Sequence, residues 1–170
     1  MDKNYINRMT VDSDTYQVWD GNMYLANYYA TVTAASSQDF LIVTGATPTH
    51  AKVNISVDGI SLITLYENVT LTALMGAGST ITSIYNMNRN NTGSCGATFF
   101  KEPAWSTNTE KIIFRKILNS YNNTCVIGGD ARGGSEYVLK NSTQYLLRIT
   151  NNDAATITAT WAMEFFEQTI

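Results

Sequence analysis

Hydrophobic and polar residues alternate along much of the chain, most clearly at its end. From Ala154 to Glu167, Ile157, Ala159, Trp161, Met163 and Phe165 fall on one side of an extended backbone, and Thr156, Thr158, Thr160 and Glu164 on the other. Successive side chains of a strand point to opposite faces, so this period of two predicts a half-buried β-strand. Gln144 to Thr150 predicts another, with turn chemistry between them at Asn151-Asn152-Asp153. Together they predict an antiparallel hairpin or meander that closes the chain.

Upstream the punctuation is regular. Phe40 to Thr44 is a short apolar run ended by Gly45 and Pro48, and Val53, Ile55 and Val57 alternate with Lys52, Asn54 and Ser56. Asp58-Gly59 reads as a tight hairpin turn and Ile60 to Tyr66 as the returning strand. Further strands are predicted at Thr70 to Leu74, Thr82 to Met87, Ala97 to Glu102, Ile112 to Leu118 and Tyr137 to Leu139. Many short strands separated by turn signals predict an all-β, antiparallel β-sandwich, jelly-roll-like. One segment fits two elements. Thr107 to Glu110 has capping-box spacing, and Ile113/Ile117 and Phe114/Leu118 sit four apart as on a helix face, while Ile112, Phe114 and Leu118 also fit a strand. Its strand-rich flanks favour the strand.

The first 37 residues differ from the rest. Tyr5, Tyr16, Trp19, Tyr24, Tyr28 and Tyr29 lie among Asn, Asp and Thr with weak periodicity. Aromatics with a polar tip concentrate where a surface meets a partner, so residues 1–37 are predicted to form an N-terminal arm ahead of a domain at 38–170. The other reading folds this segment back as one or two edge strands.

Length and composition bound the remaining choices. A chain of 170 residues, 44% hydrophobic and 15% charged, suits one well-filled core. It has no apolar run of the roughly 20 residues needed to cross a bilayer and no apolar signal region at its start, so membrane partners and export are not expected. A chain kept in a reducing cytoplasm is expected to hold Cys95 and Cys125 as free thiols. The formal charge of −3 divides into −2 for residues 1–37 and −1 for the rest, without the basic excess that nucleic acid requires. Lys111, Arg115 and Lys116 are interleaved with Ile112, Ile113, Phe114, Ile117 and Leu118, which reads as a solvated face of a core element.

Catalytic and metal chemistry finds little footing. The one histidine, His50, has no neighbouring nucleophile or orienting acid, and one His with two separated Cys lacks zinc-ligand spacing. Asp12-Ser-Asp14 lacks the glycine and glutamate of a calcium loop, and the glycine-rich stretches at Gly76 to Gly78 and Gly128 to Gly134 lack the Gly-Lys-Ser/Thr of a phosphate loop. Glu67, Glu102, Glu136, Glu164 and Glu167 would serve a glycosidase only if two of them shared a cleft. No catalytic residue, metal or cofactor is therefore expected. Threonine and asparagine instead fill outward positions, an exterior suited to packing against protein neighbours because few charges must be desolvated.

Leu65-Tyr66-Glu67, then Asn86-Met-Asn-Arg89, the loop Gly128 to Gly134, Ser135-Glu-Tyr-Val-Leu-Lys140, Thr143-x-Tyr-Leu-x-Arg-Ile-Thr-Asn151 and Trp161-x-Met-Glu-Phe-Phe-Glu167 follow one another in a characteristic order. In that order and spacing, over roughly residues 40–168, the chain resembles the small virion structural proteins of tailed bacteriophages, of the capsid auxiliary or decoration type. The resemblance implies a non-enzymatic jelly roll, a homotrimer, made in the bacterial host cytoplasm. It would sit on the outer capsid surface of the virion and stabilise it through the major capsid protein. The aromatics Tyr5, Tyr16, Trp19, Tyr24, Tyr28 and Tyr29 would then be capsid contacts. Asn88, Arg89, Glu136 and Arg148 are assigned to inter-strand or inter-subunit polar contacts, with arginine–carboxylate pairing available to the arginines. The rival is a carbohydrate- or receptor-binding module of a phage fibre or spike, reading sugars through the loops Asn86 to Gly96 and Asn119 to Gly134.

Overall fold

The computed structural model describes residues 13–72, 78–106, 110–119, 123–127 and 137–167, with the side chains of residues 13–16 outside that description. A short helix α1 (Ser13–Asp20) leads into β1 (Met23–Val32), β2 (Ser37–Val43), β3 (Thr49–Val57) and β4 (Ser61–Glu67). Then come β5 (Thr70–Leu71), β6 (Ser79–Thr80), β7 (Ile84–Asn86), β8 (Thr98–Lys101) and β9 (Trp105–Ser106). The chain ends with β10 (Lys111–Leu118), β11 (Thr124–Ile127), β12 (Tyr137–Leu139), β13 (Gln144–Asn151) and β14 (Ile157–Glu167).

Two six-stranded sheets pack face to face. The front sheet runs β11-β3-β14-β1-β7, with β12 also on β3, and the back sheet runs β10-β4-β13-β2-β8-β6. All pairings are antiparallel, and none joins strands that follow one another in the chain. β1 to β4 alternate front, back, front, back, as do β10 with β11 and β13 with β14. The ladders β1·β14, β2·β13, β3·β11 and β4·β10 are the nested pairs of a long hairpin rolled on itself, which is the eight-stranded jelly roll of two Greek keys. Residues between β4 and β10 form an insertion. Its β7 extends the front sheet beside β1, its β8 and β6 extend the back sheet beside β2, and its β5·β9 ribbon lies apart.

Two expected hairpins are corrected by this topology. β13 and β14 do not pair, and neither do β3 and β4. Both turns carry the chain from one sheet to the other, because a half-buried strand shows the same alternation whether its chain neighbour lies beside it or across the core. The corners have dedicated chemistry. Buried Asn151 donates its amide to the Val32 and Ala155 carbonyls at 2.9 and 2.8 Å and accepts from the Asp153 N–H at 2.7 Å. Asp58 accepts from the Thr158 N–H at 2.6 Å and from its hydroxyl, and Asp153 accepts from the Ile60 N–H at 3.2 Å, so the two corners are stitched together. At Gly59 an added Cβ would lie 2.4 Å from Ile157, so the turn admits only glycine there without displacement.

The arm boundary is also corrected. Residues 23–37, expected in the arm, hold β1, which lies between β14 and β7 and is paired to β14 along its whole length. Tyr24, Ala26, Ala30 and Val32 point into the core, since β1 alternates like the other strands once its tyrosines are divided between two faces. Phe40 and Phe99 flank Trp161 at 5.4 and 6.0 Å, Phe165 meets Phe99 and Tyr24 at 5.4 and 5.6 Å, and Tyr28 meets Phe40 at 5.6 Å. Such ring pairs contribute about 0.5–1.5 kcal/mol each beyond area burial, so the chain of them rivals the small net stability of a domain.

Residues 111–118 form strand β10, which settles the alternative at that segment; residues 107–109 of the capping box lie outside the described residues. A bulge between Ile112 and Phe114 leaves Ile112 exposed while Phe114 packs on the core. On the outer side of the back sheet, Leu41, Leu146 and Val69 form a second small core under Trp105 and Leu71 of the β5·β9 ribbon. Arg148 donates to both oxygens of Asp39 at 2.7 Å, Trp105 Nε1 donates to Asp39 at 2.8 Å, and the guanidinium lies over the Trp105 ring at 4.7 Å. The pair therefore fastens β13 to β2 and the ribbon to both.

At one end of the sandwich, buried Glu67 accepts from Lys140 Nζ at 2.7 Å and from the Tyr145 hydroxyl at 3.2 Å. The Lys140 hydrogen bond holds the Glu67 carboxyl below its ordinary range against the opposing effect of burial. A carboxyl depressed in the folded state stabilises above its unfolded pKa, and that stability is lost as pH falls through the folded value. Glu67→Gln should therefore lower the melting temperature at neutral pH and narrow the gap from the parent protein as the medium is acidified below pH ~4, read by thermal melts across pH. An equal gap at every pH would contradict this role.

Candidate functional site

Outward positions of the front sheet form one continuous surface. Across β1, β14, β3 and β11 the register places Tyr29, Thr160, Ser56 and Thr124 in one row and Asn27, Ala162, Asn54 and Val126 in the next. The row beyond is Leu25, Glu164 and Lys52, extended by Tyr85 of β7. The Lys52 and Glu164 pair, opposite one another in register, is the only charge among these rows. A shallow groove of about 360 Å³ runs along the β14, β3 and β11 part of this face, lined by Asn54, Ser56, Thr124, Val126, Thr160 and Ala162.

One edge of the face is aromatic. Trp19 is 70% exposed, Tyr29 60% and Tyr85 45%, with Met87 and Arg89 also exposed. The Arg89 guanidinium stands 5.4 Å from the Tyr85 ring centre. Tryptophan, tyrosine, methionine and arginine are the residue types enriched at protein interfaces, and here they stand clear of their own core.

Asparagines hold this edge in place. α1 ends in a Schellman motif, with Gly21 N–H bonding the Val18 carbonyl at 3.1 Å and Asn22 N–H the Gln17 carbonyl at 2.9 Å, and Gly21 takes a φ of +75°. The carbonyls that follow have no helical partner. Asn88, Asn91 and Asn86 donate their amides to Trp19, Asp20 and Gly21 carbonyls at 3.0, 3.5 and 2.7 Å. The same side chains fold their own loop, since Asn86, Asn88 and Asn91 accept from the N–H groups of Asn88, Asn90 and Gly93. Trp19 and the Tyr85–Arg89 pair are thus presented by one clasp.

The expected contact residues divide. Trp19 and Tyr29 are both exposed, Tyr29 in an outward row of the front sheet and Trp19 at the end of α1, where its carbonyl meets Asn88 after β7. Tyr24 is corrected to a core residue, packed on Phe165, and Tyr28 is half-buried with its hydroxyl accepting from Lys101 at 2.9 Å. Tyr5 and the Tyr16 side chain lie outside the described residues, as does Glu136. Asn88 serves the helix end and Arg89 the Tyr85 ring, while Arg148 is an inter-strand contact on the opposite sheet. The clasp and the partner Asp39 were missed by sequence reasoning. The recurring Asn86-x-Asn88-x-Asn90-Asn91 and the glycine after α1 were the available signals.

Other chemistry-bearing groups are dispersed. His50 stacks on Phe166 at 4.5 Å. Glu67 is committed to Lys140, and Glu167 accepts from the Gly96 N–H at 2.7 Å elsewhere. Cys95 and Cys125 are free thiols, and burial pushes both up to about 11, leaving them protonated and poor nucleophiles at neutral pH. Among the described residues no three His, Cys, Asp or Glu side chains converge as a metal site would need.

No protein-family model and no curated protein sequence matches the chain. Among solved structures it is similar to the Yersinia pseudotuberculosis-derived mitogen, with a TM-score of 0.38 and 10% identity over 86% of this chain and 87% of that one. It is also similar to a chain of the T13 IBDV viral particle, with a TM-score of 0.20 and 9% identity over 86% of this chain and 39% of that one. Likeness at this level carries no statement about what the chain does.

The clasp makes a local prediction. A Cβ at Gly21 would lie 1.8 Å from the Asn91 amide, on a backbone that disfavours side chains. Gly21→Ala should destabilise the α1 end by about 1–3 kcal/mol, and Asn88→Ala by about 1 kcal/mol. Both should appear as faster hydrogen exchange at the Asn22 amide with core amides unchanged. Unaltered Asn22 exchange in both variants would show that the clasp does not hold the helix.

Proposed function

We propose that this chain is a structural, protein-binding jelly roll of a virion, one that decorates and stabilises the outer capsid surface through the major capsid protein, as a homotrimer. The observation that carries the reading is the front face. It is broad and almost uncharged, and its exposed aromatic edge comprises Trp19, Tyr29 and Tyr85. Docking there desolvates few charges, and threonine and asparagine groups offer hydrogen bonds that a partner can satisfy. The sequence resemblance to decoration-type phage proteins supplies the partner.

A second reading has its own support. Tyr29 stands beside Thr160 in register, next to the groove carrying Asn54 and Ser56, and a ring beside hydroxyl and amide groups suits a sugar. A carbohydrate- or receptor-binding module of a fibre or spike would use that groove; decoration would use the whole face.

The purified chain should bind empty expanded capsids to saturation and raise their disruption temperature. Trp19→Ala and Tyr29→Ala should each weaken binding about tenfold or more, as exposed aromatic anchors do, without changing the melting of the isolated protein. Removing residues 1–37 would take out β1 and unfold the body, so the arm is tested by removing residues 1–22. Absence of binding by the parent protein would overturn decoration. Selective glycan binding lost in Asn54→Ala would favour the module instead.

A further inference from the structure

β10 closes the β4 end of the back sheet, and among the described residues no strand lies on its other side. An open edge of this kind presents unpaired backbone groups as a template for another strand. The bulge is already occupied, since the Tyr137 hydroxyl donates to the Ile113 carbonyl at 3.2 Å. Beyond it, Phe114 to Leu118 runs without irregularity opposite Leu65 to Ser61, a straight stretch with no second strand partner among the described residues.

The side chains there are unusual for a free edge. Ile117 is 63% exposed on the outer side, two positions from exposed Arg115, and Lys116 points to the other side. Neither cation has an ion-pair partner among the described residues, whose ion pairs are Lys140–Glu67 and Arg148–Asp39. The acids nearest in register do not answer them: Glu67 faces Lys111 and is held by Lys140, and Glu110 precedes the strand. β11, packed alongside, carries no charge.

We propose that β10 is a second docking edge, which takes an extended acidic segment of a partner protein as an added antiparallel strand. Charge selects the occupant. A second copy of the Phe114 to Leu118 stretch, paired antiparallel about its centre, would set Lys116 directly against Lys116, and like charges opposite one another repel. An added strand reading apolar, acidic, acidic from its N-terminal side would place the apolar group on Ile117 and the acids on Lys116 and Arg115. This edge lies on the sheet opposite the aromatic face, so the inference stands independently of the capsid reading.

The test titrates the full chain with a synthetic nine-residue peptide of alternating valine and threonine carrying a central Val-Glu-Glu, and with its Val-Lys-Lys counterpart, following backbone amide resonances. Saturable binding of the acidic peptide alone, with shifts centred on residues 114–118, is expected. Arg115→Glu with Lys116→Glu should weaken that peptide at least tenfold and admit the lysine peptide, while melting as the parent does. Ile117→Pro, which stiffens the edge and removes an N–H, gives a second readout without charge change. Failure of the acidic peptide to bind at millimolar concentration, equal binding of both peptides, or dimerisation of the parent chain through these amides would each overturn the proposal.

Discussion

The structure depends on one ladder. Ten cross-strand pairs from Met23↔Phe166 to Val32↔Ile157 join the beginning of the described chain to its end. β14 then pairs on its other side with β3, so the three strands that fill the middle of the front sheet come from three distant parts of the sequence. Trp161 sits on the central strand, fully buried between Phe40 and Phe99 of the back sheet. Since none of the described ladders is a local hairpin, cohesion rests on long-range pairing, whose loop-closure entropy must be overcome before any contact stabilises.

That constraint explains what was legible in the sequence. The alternation at Ile157 to Phe165 and at Val53 to Val57 marked strands correctly, because period two depends only on having one face buried. The same alternation is silent about which sheet receives the strand. Asp58-Gly59 and Asn151 to Asp153 carry turn residues whose role becomes clear only when Asp58 meets Thr158 and Asn151 meets Val32, contacts spanning about a hundred residues. β1 was obscured by its own composition. Tyr24 and Tyr29 look alike in sequence, yet one is packed on Phe165 and the other faces solvent.

Of the candidate site, residue types were legible in the sequence and their positions only in part. Low charge and abundant threonine and asparagine pointed to a docking exterior, and Trp19 and Tyr29 were named from residue type. Tyr85, Met87 and Arg89 join them because the insertion between β4 and β10 folds back beside β1. The asparagine clasp gives this edge a fixed geometry with no charge of its own, satisfying helix-end carbonyls that would otherwise need water. On the opposite sheet the β5·β9 ribbon covers the apolar surface around Leu41 and Leu146, and the Arg148–Asp39 pair secures it. Among the described residues the two outer sides therefore differ: the insertion covers the back sheet around Leu41 and Leu146, while the outward rows of the front sheet keep Tyr29, Ser56, Thr124 and Thr160 exposed.

Native-state amide hydrogen exchange tests this account most directly, because it reads whether residues 23–32 belong to the body. The β1 amides that face β14, those of Ala26, Tyr28 and Ala30, should exchange only with global unfolding, at the same free energy as Trp161 and Met163 of β14. Exchange of the β1 amides by local opening, with β14 still protected, would contradict it and return those residues to an arm.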